Sequence, residues 1–327
     1  MFWYKMRLWF VIVFMFGIVY AIVTMIAHSM GVQSFYFYLI LTVGIVLIQY
    51  LIGPKIVEWT MKVRYLSRDA APELHDMIED LARRAHIPKP RIGVAETELP
   101  NAFAFGRWKS DGRVCVTRGI LDLLDRDELR AVLGHEIAHL KNRDVMTITL
   151  LSVIPLVMYR IAWHLLFFGS MGRRRDSGGH TALIGLAALV FYFITNLGVL
   201  YVSRIREYFA DKGSVNLGNA PHTLASALYK LVYGNARAPK QALKQVEGLK
   251  AFFVNDPSRA LREFKDINQL DMDRDGTIDA DELASLHGKE VKVKFNDRLM
   301  ELLSTHPNML KRIKQLSKHG PWGLRKD

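Results

Sequence analysis

Two histidines four residues apart frame a glutamate in the run His135-Glu136-Ile137-Ala138-His139. On a helix, residues at that spacing share one face a single turn apart, so their imidazoles can bind one metal ion together. Glu136 then points toward the open side of the ion and can take a proton from bound water. Imidazole and carboxylate ligands suit zinc, which brings the pKa of its water near neutrality for attack on a peptide carbonyl. The flanking residues Ala131, Val132, Leu133, Ile137, Ala138 and Leu140 are apolar, as in a packed helix. Taken alone, the five-residue pattern also fits two surface histidines on an ordinary helix.

A catalytic zinc needs a third protein ligand and one open position. Glu207 and Asp211, four apart in Ser203-Arg204-Ile205-Arg206-Glu207-Tyr208-Phe209-Ala210-Asp211, share a helix face. Glu207 can be the third ligand, and Asp211 can orient a ligand histidine from behind. By themselves the two equally read as a solvated acidic pair balanced by Arg204 and Arg206.

Residues 271–282, Asp-Met-Asp-Arg-Asp-Gly-Thr-Ile-Asp-Ala-Asp-Glu, match a twelve-residue EF-hand calcium loop at every expected position. Asp271, Asp273 and Asp275 would offer side-chain oxygens and Thr277 its carbonyl. Asp279 would bind directly or through water, and Glu282 would close the shell as a bidentate ligand. Gly276 permits the sharp turn. Leu261, Phe264 and Ile267 before the loop, with Leu283 and Leu286 after it, support flanking helices. No second loop of this kind occurs in the sequence, and the alternative is an acidic loop that solvates a basic protein.

These residues need elements to hold them. An amphipathic helix begins at Pro72, with Leu74, Met77, Ile78, Leu81 and Ala85 on one face, and ends before Pro88 and Pro90. Strand-like runs follow at 91–95 and 102–105, and Ser110-Asp111-Gly112 turns into a third at 114–117, which reads as a hairpin. The metal helix spans 126–143, with Asp125 or Asp127 as N-cap. Residues 203–327 read as mainly helical. Cys115, the single cysteine, has no partner for a disulfide or a zinc spacing and sits between Val114 and Val116, so it reads as a small buried apolar residue.

Half of the 327 residues are hydrophobic although 23% are charged, because the apolar residues are concentrated in long runs. Four runs, 8–27, 35–53, 145–168 and 183–202, have about the length that crosses a bilayer. The first is too long for a signal peptide core and is followed at once by the second. Arg160 and His164 are the ionisable groups within the third. The formal charge of +12 fits an anionic membrane surface; no nucleic-acid-binding module is present.

The blocks His135 to Asp144 and Ser203 to Asp211, with Pro100-Asn101-Ala102-Phe103-Ala104 and Ser304-Thr305-His306-Pro307, resemble those of the HtpX family of membrane zinc proteases, in the family's order. The resemblance covers most of the chain except about 50 residues before Ser304. It implies a zinc endopeptidase of the gluzincin type, with His135, His139 and Glu207 as ligands and Glu136 as general base. Asp211 and Asn142 would support the ligands from behind. Asn101 would lie near an edge strand that pairs with the substrate backbone, and His306 would stabilise the oxyanion. It also implies quality control of misfolded or damaged membrane proteins. The calcium loop departs from the family pattern; falling between Glu207 and His306, it is expected to order this region and modulate activity. The CAAX prenyl proteases share related metal blocks but have more spans.

For His135 and Glu207 to meet at one ion, spans three and four must form an even crossing. Both soluble portions then share one side, and Lys5, Arg7, Lys55, Lys62, Arg64 and Arg68 place that side in the cytoplasm of a cell inner or plasma membrane. Arg173, Arg174 and Arg175 run against that rule. The expected fold is α+β: a zincin-like domain with an active-site helix and a small β-hairpin sheet, mounted on four transmembrane helices. The expected division is 1–53 and 145–202 as membrane hairpins, 54–144 and 203–327 as the two halves of the catalytic domain, with an EF-hand-like insertion at 258–288. The partners are the bilayer and unfolded or membrane-protein substrates, without nucleic acid. The competing class is a calcium-binding membrane adaptor with a non-catalytic zinc site; Glu136 argues against it, because a structural site needs no general base.

Overall fold

The computed structural model describes residues 35–167, 178–239, 253–254, 259–288 and 300–319. The first expected span, 8–27, and the arginine run 173–175 lie outside the described residues. In chain order the elements are α1 (Phe35–Thr60), β1 (Val63–Tyr65), α2 (Pro72–Ala85), β2 (Arg91–Ala95), β3 (Ala102–Phe105), β4 (Arg113–Thr117), α3 (Arg118–Leu123), α4 (Arg126–Asn142), α5 (Asp144–Phe167), α6 (Gly178–Asn216), α7 (Pro221–Arg237), α8 (Ala260–Ile267), α9 (Ala280–Ser285) and α10 (Met309–Leu316). The chain divides into two compact units: Met1–Tyr50 with Ile148–Leu200, and Leu51–Thr147 with Tyr201–Asp327.

The second unit is built around one small sheet and the helix α4. The expected hairpin is β3–β4, paired antiparallel from Ala102↔Val116 to Phe105↔Arg113. The sheet is larger than that hairpin: its order is β1-β2-β4-β3, with β2 parallel to β4 and β1 antiparallel to β2. β1 carries no apolar alternation, two of its three residues being exposed, so it has no pattern to detect. Gly93 explains how β2 fits between its neighbours. A Cβ there would stand 2.6 Å from Val63 Cγ1 and 2.9 Å from Cys115 Sγ. Cys115 is wholly buried, and that burial pushes its thiol up to about 12.

Amphipathic spacing makes α2. Leu74, Met77, Ile78, Leu81 and Ala85 are buried, and His86 closes the helix in the left-handed conformation, donating its N–H to the Ala82 and Arg83 carbonyls. Helix α4 starts with a capping box: Glu128 N donates to Asp125 Oδ1 (2.9 Å) and Asp125 N donates to Glu128 Oε2 (3.1 Å). Most of its remaining length is buried, and it ends where Arg143 turns left-handed. Its apolar side chains join those of α2, α7 and α10 in one core.

Helices α5 and α6 supply two stretches long and apolar enough to cross a membrane, Asp144–Leu166 and Leu183–Asn216. The first covers expected span three except its last two positions, and the second contains expected span four. Leu186, Val190, Phe191, Phe193 and Ile194 are strongly exposed on α6. Surface of that kind is suited to lipid rather than to water. Expected span two lies within α1, which continues as helix to Thr60.

Candidate metal centre

His135 and His139 lie one turn apart on α4, as their spacing predicts, and α6 brings Glu207 to them. Gly134 and Gly213 allow this approach. A Cβ on Gly213 would stand 2.5 Å from Ala138 Cβ, and one on Gly134 would collide with the Asn219 side chain. With hydrogens at both positions the two helices come together closely enough for their side chains to share a point.

The three side chains enclose such a point. His135 Nε2 and His139 Nε2 are 3.1 Å apart. Glu207 Oε2 is 3.6 Å from the first, and Glu207 Oε1 is 3.5 Å from the second. Ligands held at 2.0–2.1 Å by one tetrahedral ion stand about 3.3 Å apart. The separations bracket that value, so the set fits zinc. Electrostatics agree. Burial alone would lower the His135 pKa, yet Asp211 and Glu207 push it up to about 9. The pocket is therefore built to receive positive charge. Glu207 Oε2 also accepts no hydrogen bond although it is buried.

Carboxylates behind the rings set their orientation. His135 Nδ1 lies 2.9 Å from Asp211 Oδ1. His139 Nδ1 is paired with Asp144 Oδ2, and Asp144 Oδ1 is 3.0 Å from Arg206 Nε. With each Nδ1–H donated to a carboxylate, each Nε2 lone pair is left for an ion. Arg312 of α10 closes the assembly. Wholly buried, it donates from Nε to Asp211 Oδ2 (2.9 Å), from Nη2 to Asp211 Oδ1 (2.6 Å) and from Nη1 to the Val254 carbonyl (2.9 Å). Its Nη1 stands 3.3 Å from Glu207 Oε2.

Glu136 is buried beside the ligands, 5% exposed. Burial raises its carboxyl pKa, against the lowering effect of His135, His139 and the nearby Ala104 backbone of β3. A carboxylate with a raised pKa has the character of a proton acceptor and donor. His306 reaches the same place from the segment before α10, with Nδ1 3.4 Å from Glu207 Oε2. Neither of its ring nitrogens makes a hydrogen bond.

One residue differs from the sequence expectation, and a second makes contacts the sequence does not reveal. Asn142, expected behind the ligands, is exposed at the end of α4, and the group that holds His139 is Asp144 two residues on. Asn101, expected near an edge strand that pairs with substrate, does stand just before the edge strand β3, where it is wholly buried. Its Oδ1 accepts from Val254 N (2.9 Å), and its backbone pairs with Thr117. It braces the segment whose carbonyl holds Arg312. Asp144 and Arg312 are the two residues that sequence reasoning missed. Asp144 ends the run from His135 to Asp144, whereas Arg312 reads as one of several basic residues near the C-terminus.

At the 271–282 loop, Asp271, Asp273 and Asp275 converge, each with an oxygen within 4.8 Å of the others. Asp279 and Glu282 instead form the capping box of α9. Thr277 donates from N and from Oγ1 to Asp275 Oδ1, both at 2.7 Å.

A buried His-His-Glu cluster with an adjacent glutamate, beside a small sheet, is the site of a metalloprotease. Residues 68–319 match Peptidase family M48, and the chain belongs to that family, among its HtpX proteases. The "Protease HtpX homolog" of Methanothermobacter thermautotrophicus is 55% identical over 228 residues, covering 70% of this chain and 85% of its own. "Protease HtpX homolog 2" of Methanosarcina acetivorans is 37% identical over 273 residues, covering 83% and 80%. The Moorella thermoacetica homolog is 34% identical over 311 residues, covering 94% and 91%. Among solved structures, S. mikatae Ste24p matches with a TM-score of 0.51 and 17% identity, over 94% of this chain and 67% of that one, which shows a shared fold. Zinc is the known ion of the family.

Proposed function

We propose that this metalloprotease is a multi-pass membrane zinc endopeptidase that removes misfolded or damaged membrane proteins, its catalytic unit facing the cytoplasm on four transmembrane helices. The observation that carries the reading is the convergence of His135, His139 and Glu207 beside Glu136. In this reading those three residues hold the ion. When bound, zinc polarises the scissile carbonyl and acidifies the attacking water.

The protein's own groups do the remaining work. Glu136 accepts a proton from the water and delivers it to the departing amine nitrogen as the peptide bond breaks. His306 faces the oxygen on which negative charge develops. Asp211 and Asp144 keep both ligand rings in the tautomer that leaves Nε2 free. The substrate backbone adds to β3, the edge strand of the described sheet, which gives affinity with little sequence preference. The nearness of the Ala104 backbone to Glu136 supports this, because it sets that strand beside the catalytic helix. Calcium modulation through the 271–282 loop belongs to the same proposal.

The test is cleavage of casein by the detergent-purified, zinc-loaded chain, compared with Glu136→Gln. The parent is expected to cut, and the variant to bind one zinc without cutting. Cleavage by the variant at the parent's rate would remove Glu136 from the mechanism. Zinc bound in both with neither cutting casein, nor an unfolded membrane protein in the same detergent, would overturn the peptidase reading in favour of an adaptor.

A further inference from the structure

Asp271 is buried, only 7% of the residue being exposed. Its Oδ2 accepts from Gly276 N (3.0 Å) and from Tyr229 Oη (3.1 Å), but its Oδ1 has no hydrogen-bond partner. Among the described residues no basic side chain forms an ion pair with Asp271, Asp273 or Asp275. A buried carboxylate oxygen left in that state is costly unless a cation meets it. Oxygens held about 2.4 Å from a calcium ion lie at most about 4.8 Å apart. The three carboxylates meet that limit. Gly276, at φ +87, makes the turn that folds them inward.

We infer that the 271–282 loop binds one calcium ion through Asp271, Asp273 and Asp275, and that the ion braces the helices that hold the zinc ligands in place. The backbone carbonyl of Thr277 and the carboxylate of Glu282 complete the shell. Glu282 must then turn an oxygen from its present partners, Met272 N and Asp279 N, toward the ion.

Two chains of contacts join the loop to the elements around the metal centre. Tyr229, which holds Asp271, lies on α7. Its neighbour Lys230 lies 2.7 Å from Glu128 Oε1, and Glu128 caps α4, the helix of His135 and His139. On the far side of the loop, the carbonyl of Leu286, just after α9, accepts from Lys314 Nζ at 2.5 Å. Lys314 lies on α10, two residues beyond Arg312. Ordering the loop therefore steadies both the start of α4 and the helix that carries Arg312.

Ion binding stands apart from the peptidase reading, and only the activity arm of the test rests on it. Calcium chloride and, separately, magnesium chloride are titrated by calorimetry into the detergent-purified, zinc-loaded chain, with thermal unfolding followed in parallel. One calcium is expected per chain, with weaker magnesium binding and a raised unfolding midpoint. Asp273→Asn, an exposed position that leaves the fold in place, should weaken calcium at least tenfold, and Asp271→Asn further still. Absence of calcium binding by a folded parent would overturn the site, as would unchanged affinity in both variants. With calcium bound, zinc dissociation into a chelator is expected to slow several-fold, and casein cleavage to rise with calcium in the parent only. If calcium binds but leaves zinc release unchanged, the bracing role is wrong whether or not the protein cuts casein.

Discussion

Arg312 and Asp211 meet in a doubly hydrogen-bonded pair, Nη2 to Oδ1 at 2.6 Å and Nε to Oδ2 at 2.9 Å, and the same Oδ1 lies 2.9 Å from His135 Nδ1. The guanidinium thus fixes the carboxylate that fixes the ring. Removing it takes from a buried carboxylate its guanidinium partner, a loss of about 3–5 kcal/mol. Arg312→Met is expected to lower the unfolding midpoint of the zinc-free chain and to weaken zinc about 10–100-fold. Metal content after dialysis against a graded chelator measures this. Retention of parental zinc affinity would show that Asp211 is held by other contacts.

Asp144 does for His139 what Asp211 does for His135. Asp144→Asn keeps the size of the side chain but removes the charge that the ring N–H favours. Zinc affinity should fall about 10–100-fold, while Asn142→Ala, altering an exposed residue, should leave it unchanged. Equal losses in the two variants would contradict the assignment of Asp144.

The contact between α4 and α6 depends on Gly213. In Gly213→Ala the new methyl meets Ala138 Cβ at 2.5 Å, a clash of the kind that costs about 1–3 kcal/mol. Glu207 then withdraws from the histidines, and zinc content and cleavage fall together. Adding Ala138→Gly to Gly213→Ala removes the clashing carbon and should restore much of both. A double variant no better than the single one would place the fault elsewhere.

Asn101 separates a bracing role from a substrate-binding one. Asn101→Ala leaves the buried Val254 N–H without its acceptor, a loss of about 1–3 kcal/mol. The expected signature is a lower unfolding midpoint with KM for casein nearly unchanged. A raised KM at parental stability would return Asn101 to the substrate.

Much of the catalytic constellation is legible in the chain because it rests on local periodicity. Residues four apart on a helix share a face whatever surrounds them, so His135 with His139, and Glu207 with Asp211, are paired before any tertiary contact forms. The capping residue Asp125, the apolar face of α2 and the β3–β4 hairpin are local in the same sense. Tertiary structure alone decided the rest. Arg312 reaches His135 across 177 positions, and no periodicity links residues so far apart. The parallel pairing of β2 with β4 and the addition of β1 were settled by what fits against Gly93. Asn101 and Arg312 carry polar side chains that hydropathy assigns to the surface. They are buried because each finds partners inside, and only a folded chain brings those partners together.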